Sequence, residues 1–269
     1  MRAAELFAES DDRGRAFVTG FELAAPNMPD DPFSPAYADA QWALYERIAR
    51  RGAYELANEA SEVNLDVALA MPYPYGSGSA GQVSEQLLAW GFIIKALDPQ
   101  PGWRAVEFGP GWGNLTLQLT TMGVDVTAVE VDGDFAELIR RRTSRPDKIH
   151  IQQTDMLSFV PEGRYDAAIF FESFHHCSRH LEMLDRLRET VTDDGVIAFA
   201  GEPVGWMPYP WGLRLDGMSL WSVRRYGWLE LGFSRAYFTE ALRRAGWHGE
   251  RVNNRSLGNL ADVILVRRA

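Results

Sequence analysis

The run Arg104-Ala-Val-Glu107-Phe108-Gly109-Pro-Gly111-Trp-Gly113-Asn114 decides how this chain is read. Its first half is a short apolar run of the kind that forms a strand buried on both faces, and its second half sets a glycine at every other position. With no Cβ, Gly109, Gly111 and Gly113 permit a tight turn and let a ligand approach the backbone where the next helix begins. A nucleotide-like ligand suits such a place. The dinucleotide fingerprint Gly-x-Gly-x-x-Gly fails, because Asn114 occupies its third glycine position, and no Gly-Lys-Ser/Thr follows to make a P-loop.

Outward from this run, short apolar segments alternate with helical ones, the pattern of a doubly wound α/β sheet. Strands are predicted near 104–108, 124–130, 148–152, 166–171 and 195–200, with a final strand at Asp262-Val-Ile-Leu-Val266. Helices are predicted near 113–122, 133–143, 179–191 and 234–245. Upstream, Trp42, Tyr45, Ile48 and Ala49 recur at helical spacing in a segment from Tyr37 to Glu59, and Gln82 to Leu97 reads as a further amphipathic helix. The stretch from Met71 to Ala80 is rich in proline and glycine and reads as a loop. Residues 203–233 break the alternation. They hold Trp206, Trp211, Trp221 and Trp228, and a connection of that length is expected to be a lid or a small substructure.

Composition narrows the function. A chain of 269 residues with 46% hydrophobic content has ample material for a packed core, and a formal charge of −10 opposes binding to a phosphate backbone. No Lys- and Arg-rich run interleaved with aromatics stands out, so nucleic acid is not the expected partner. No apolar stretch reaches the ~18 residues that a bilayer span requires. Cys177 is the single cysteine, which excludes an internal disulfide, and the start Met1-Arg-Ala-Ala-Glu5 lacks the apolar core of a secretory signal. A cytoplasmic location is expected.

The glycine run with its preceding acid resembles motif I of the class I S-adenosylmethionine-dependent methyltransferases. Three further segments extend the likeness in the same order across about residues 104–200. Val126-Thr-Ala-Val-Glu130 ends the next predicted strand on a carboxylate. Ile149-His-Ile-Gln-Gln-Thr-Asp155-Met156 follows the third, and Tyr165-Asp-Ala-Ala-Ile-Phe-Phe-Glu172-Ser-Phe-His175-His176 follows the fourth. The resemblance implies a mostly parallel, seven-stranded Rossmann-like sheet whose last strand is antiparallel. It also implies that Glu107, Gly109, Gly111 and Gly113 serve the methionine end of the cofactor, Glu130 the ribose, and Asp155 and Met156 the adenine. S-adenosylhomocysteine would be the product.

Beyond the resemblance, residues 1–80 are expected to form a helical extension and 81–269 the cofactor-binding domain, with 203–233 capping it. A small-molecule acceptor is expected, with a saccharide or natural-product hydroxyl preferred over carbon or nitrogen. His175 or His176 is the candidate base, with Glu172 as the substitute. Trp206, Trp211 and Trp221 are candidate acceptor contacts, and Arg214, Arg224 and Arg225 candidate partners for an acidic substituent. Glu172, His175, His176, His180 and Glu202 lack the spacing of a metal set, so no metal is expected. A cofactor-binding protein without transferase activity is the alternative from another class, and an NAD-dependent oxidoreductase is disfavoured by Asn114.

Overall fold

Strands β1 (Arg104–Phe108), β2 (Asp125–Glu130) and β4 (Tyr165–Phe171) are buried along nearly their whole length, which requires helices on both faces of the sheet they share. The computed structural model describes residues 2–60, 63–73, 77–253 and 262–269. With β3 (Ile149–Gln153), β5 (Val191–Ala200), β9 (Trp247–Asn253) and β10 (Asp262–Arg268), these strands make one seven-stranded sheet ordered β3-β2-β1-β4-β5-β10-β9. The pairs from β3 to β5 are parallel, whereas β10 runs antiparallel to β5 and to β9. The strand order reverses between β1 and β4, where open α/β sheets form a crevice at the strand C-termini.

The expected doubly wound fold is therefore present, with one strand unforeseen. In β9 the positions His248, Gly249 and Glu250 are all exposed, so an edge strand lies there without the apolar alternation that announces one. On one side of the sheet, α5 (Ala80–Leu97) and α6 (Asn114–Thr121) pack Trp90, Ile93, Leu97, Leu115 and Leu119 against Val126, Ile169 and Val263. Elsewhere in the sheet the rings of Phe108, Phe170 and Phe199 stack at 4.8 and 5.0 Å between neighbours. Each such ring contributes roughly 1.5–3 kcal/mol by burial. Two more helices, α7 (Gly133–Arg142) and α8 (His180–Thr190), follow β2 and β4.

The chain folds into two units, one of residues 60–202 and 239–269, the other of 1–59 and 203–238. Residues 60–80, grouped by sequence with the N-terminal segment, fall in the sheet unit with the short helix α4 (Leu65–Ala70). Of the predicted loop 71–80, residues 74–76 lie outside the described residues. The other unit contains α1 (Arg2–Glu9), α2 (Asp11–Val18), α3 (Pro35–Ala49) and α9 (Gly217–Arg225). It also holds a small sheet in the order β6 (Val204–Gly205), β8 (Leu231–Ser234), β7 (Trp211–Leu213). The last helix, α10 (Arg235–Arg244), begins in this unit and ends in the other.

Helix α3 starts as its residues dictate: the Ser34 hydroxyl accepts from the Tyr37 N–H, and Pro35 occupies the first turn, where no N–H is needed. It stops at Ala49, ten residues before the predicted Glu59, because Arg50 turns left-handed at φ 52. Arg51 then donates to the carbonyls of Arg225 and Tyr226, capping the end of α9. Among the described residues, no helix is long and apolar enough to cross a membrane.

Candidate functional site

The glycines after β1 turn out to serve three different needs. Gly113 is held at φ +71, and a Cβ there would lie 2.4 Å from Ile139 Cγ1, so α7 packs directly on its backbone. A Cβ at Gly109 would lie 2.9 Å from Cβ of Ser173, whose hydroxyl donates to the Phe108 carbonyl at 2.6 Å and ties the end of β4 to the end of β1. At Gly111 a Cβ would meet nothing within 4 Å. Of the three, this is the backbone that faces open space.

Acids converge on that open backbone. Glu130, ending β2, is buried and divides its carboxylate between two backbone donors: Oε2 accepts from the Gly111 N–H at 2.9 Å and Oε1 from the Asp132 N–H at 3.0 Å. Burial pushes its carboxyl up to about 7 despite those bonds. Glu107 is buried within β1, where it accepts from the Thr116 hydroxyl of α6, and burial with the Glu130 charge nearby raises it to about 7 as well. Asp132 caps α7 by accepting from the Asp134 and Phe135 N–H groups.

Asp155 and Met156 sit half-buried just after β3, and one Asp155 oxygen accepts from the N–H groups of Leu157 and Ser158. Arg142, at the last position of α7, donates to the Trp112 carbonyl and, at 2.6 Å, to Asn114 Oδ1. The side chain that argued against a dinucleotide fingerprint thus clasps the glycine turn to α7. Sequence spacing carried no sign of this pairing, since the partners lie 28 positions apart.

The implied cofactor can be tested against these residues. A space that a Cβ at Gly111 would fill, a buried carboxylate at the end of β2 and a half-buried acid beyond β3 match a ligand with a backbone-contacting tail, a diol and an amine-bearing ring. The residues fit.

Beyond β4 the chain enters a 3-10 turn at Phe174–His176. Glu172 is exposed and left-handed at φ 50, and its N–H donates to the Ala200 carbonyl. Such a backbone costs of order 1 kcal/mol or more. Gly201 accommodates the side chain, since a Cβ there would lie 2.8 Å from Glu172 Cγ.

The rings of His175 and His176 lie 4.2 Å apart between centroids, tilted by 38°. His175 is buried, and its Nδ1 lies 2.8 Å from Glu202 Oε2. Glu202 also accepts from the N–H groups of Ser173 and Phe174 at 2.8 Å and of His175 at 3.1 Å. Its own burial would raise the carboxyl, but His175 and these backbone donors hold it below the usual carboxylate range.

His180 is fully buried and pushed down to about 3, and burial raises the Cys177 thiol to about 12. Neither is equipped for proton transfer or attack near neutral pH. Among the described residues, no three His, Cys, Asp or Glu side chains gather to hold a metal ion.

The three tryptophans separate. Trp211 is 4% exposed, its indole N–H donates to the Pro32 carbonyl, and its own carbonyl accepts from Tyr37 and Gln41. Trp221 stacks on Phe7 at 4.9 Å. Trp206 is 80% exposed. Of the candidate arginines, Arg214 pairs with Asp216 and Glu230, and Arg224 donates to the Ala49 carbonyl. Arg225 lies over the Tyr226 ring.

With this geometry in view, residues 106–199 match the methyltransferase domain family. The ribosomal RNA small subunit methyltransferase A of Synechococcus sp. is 42% identical over 57 residues, which are 21% of this chain and 20% of that protein. This chain therefore spans only about a fifth of that relative.

Two solved structures share the fold. The 1,6-didemethyltoxoflavin-N1-methyltransferase of Burkholderia thailandensis, with 1,6-didemethyltoxoflavin and S-adenosylhomocysteine bound, has a TM-score of 0.53 at 18% identity over 92% of this chain and 93% of that one. The N-methyltransferase NodS of Bradyrhizobium japonicum WM9, in complex with S-adenosylhomocysteine, has a TM-score of 0.51 at 16% identity over 75% and 94%.

Proposed function

We propose that this chain is a class I S-adenosylmethionine-dependent methyltransferase and that it methylates a small molecule, with a saccharide or natural-product hydroxyl as acceptor. The observation that carries this reading is the buried imidazole of His175 just beyond β4, with a carboxylate on its Nδ1. A hydroxyl must shed its proton as it is methylated, and a neutral imidazole accepts one near pH 7.

Gly111 and Glu130 hold the cofactor's tail and ribose in this reading, and Asp155 and Met156 its adenine. S-adenosylmethionine supplies an already activated methyl group, so the protein's share is alignment, exclusion of water and removal of one proton. Glu107 supports the cofactor turn from within β1 through Thr116 and α6. His176 and Glu172 are the substitute bases. Trp206, whose ring is exposed and flat, is the proposed contact for a sugar face or an aromatic ring of the acceptor.

A nitrogen acceptor is the second reading, favoured by the N-methyltransferase activity in the names of both structural relatives. An RNA acceptor is opposed by the charge of −10, and the ribosomal RNA relative is matched over only 57 residues.

Two measurements test the proposal. Titration calorimetry should show S-adenosylhomocysteine binding far more tightly than NADH, and comparable NADH affinity would overturn the cofactor assignment. Incubation with S-adenosylmethionine and a metabolite extract should yield products heavier by one CH2 group, whose fragmentation separates oxygen from nitrogen acceptors.

A further inference from the structure

We propose that Glu202 is a positioning residue that locks the His175 ring as its Nδ1–H tautomer and so leaves Nε2 as the proton acceptor. The inference rests on the reading of His175 as the base, and it adds the residue that prepares it.

Glu202 lies two residues beyond the end of β5, and its side chain is 1% exposed. All the bonds described for it converge on one short segment. Oε1 takes the Ser173 and Phe174 N–H groups, while Oε2 takes the His175 N–H and faces Nδ1 of the same residue. The three backbone bonds suffice to cap the turn. The fourth contact has a chemical consequence.

An ionised carboxylate only accepts, so the ring nitrogen facing it at 2.8 Å must carry the hydrogen. In a neutral imidazole the lone pair then belongs to Nε2. Against its own burial, the carboxyl is kept ionised by the His175 side chain and by the Phe174 and Ser173 N–H groups. The backbone bonds also orient the carboxylate plane before any acceptor arrives, so the ring does not depend on substrate to find its tautomer.

Glu202→Gln tests this because an amide cannot serve all four donors. If its oxygen faces the ring, its NH2 meets the two backbone donors of Ser173 and Phe174. If the oxygen stays on those two, the NH2 points at His175 Nδ1 and at only one backbone N–H. The second arrangement leaves fewer donors opposed, and in it the ring must accept at Nδ1 and carry its hydrogen on Nε2.

Long-range 1H–15N spectra of protein labelled at its five histidines, with His175→Gln identifying the resonance, read the tautomer directly. The wild type should show Nδ1–H with an unprotonated Nε2, and Glu202→Gln the reverse. Turnover of methyl-labelled S-adenosylmethionine, with a small-molecule extract as acceptor, should fall by about a hundredfold or more in the variant, the scale of a lost general base. Affinity for S-adenosylhomocysteine should be retained.

A cap with no further role would lower the melting temperature and leave turnover per folded molecule unchanged, which would overturn the proposal. An Nε2–H tautomer in the wild type would overturn it too. If the variant does not fold, the wild-type spectrum still decides the tautomer. The spectrum needs no methyl transfer. An Nδ1–H ring in a protein that methylates nothing would refute the function and leave the lock intact, whereas turnover with the opposite tautomer would refute the lock alone.

Discussion

The glycines of the turn after β1 are not interchangeable, and single alanines should tell them apart. Gly111→Ala adds a methyl where nothing lies within 4 Å, so the cofactor-free protein should keep its fold at the cost of left-handed strain, about 1 kcal/mol. Calorimetry should nevertheless show S-adenosylhomocysteine affinity lowered at least about tenfold, because the methyl occupies the ligand's approach. Gly113→Ala forces a contact with Ile139 Cγ1 and should instead lower the melting temperature markedly. Equal effects from the two variants would contradict the assignment of the open side at Gly111. Glu130→Ala, which removes an acceptor shared by two backbone donors, should weaken cofactor binding by about 1–3 kcal/mol.

At the scale of elements, the cofactor turn depends on α7 through Arg142, whose guanidinium grips Trp112 and Asn114 at opposite sides of Gly113. Arg142→Met retains the apolar stem and loses both bonds. Cofactor affinity measured by calorimetry should fall by about tenfold, the worth of one charge-assisted hydrogen bond, with the sheet's circular dichroism unchanged. The small sheet of β6, β8 and β7 depends in turn on Trp211, so Trp211→Ala should cost about 3–5 kcal/mol in denaturant unfolding. Trp206→Ala removes a side chain that supports no core and should leave stability within about 0.5 kcal/mol. Under the proposed function it raises the acceptor KM and leaves the cofactor's unchanged.

Across the whole molecule, buried acids couple stability to pH. The carboxyls of Glu107 and Glu130 rise from an ordinary 4.5 to about 7 on folding, so the native state holds more protons than the unfolded chain between those values. Their contribution is fully present below about pH 4.5 and is lost as pH rises through about 7. Buried His180 acts in the opposite sense: pushed down to about 3, it favours folding increasingly as pH rises from there to its ordinary 6.5. Glu107→Gln removes one acidic contribution while leaving Thr116 an acceptor. The melting temperature of the variant relative to wild type should therefore climb as pH is raised from about 5 to about 7.5 without cofactor. A constant difference would show that Glu107 does not titrate in that window.

The alternation of buried strands and helices, and the glycine turn between β1 and α6, were legible in the sequence because both are local: a strand buried on two faces must be apolar along its length, and a tight turn needs glycine where φ is positive. Edge strand β9 escaped, since His248 and Glu250 are exposed and the position that packs on Leu242, Ile264 and Val266 is Gly249, which has no side chain to mark an apolar face. The end of α3 escaped because apolar spacing does not record the left-handed turn at Arg50.

Tertiary structure alone decided the partnerships between distant positions. Residues 1–59 join 203–238 through bonds such as Tyr37 to the Trp211 carbonyl, 174 positions apart, which makes Trp211 a core residue. Asn114 is matched to Arg142, and Glu202 to His175, 27 positions apart. A side-chain hydrogen bond imposes no periodicity on the chain that makes it, so such pairings appear only once the backbone has brought the partners to within 3 Å or so of each other.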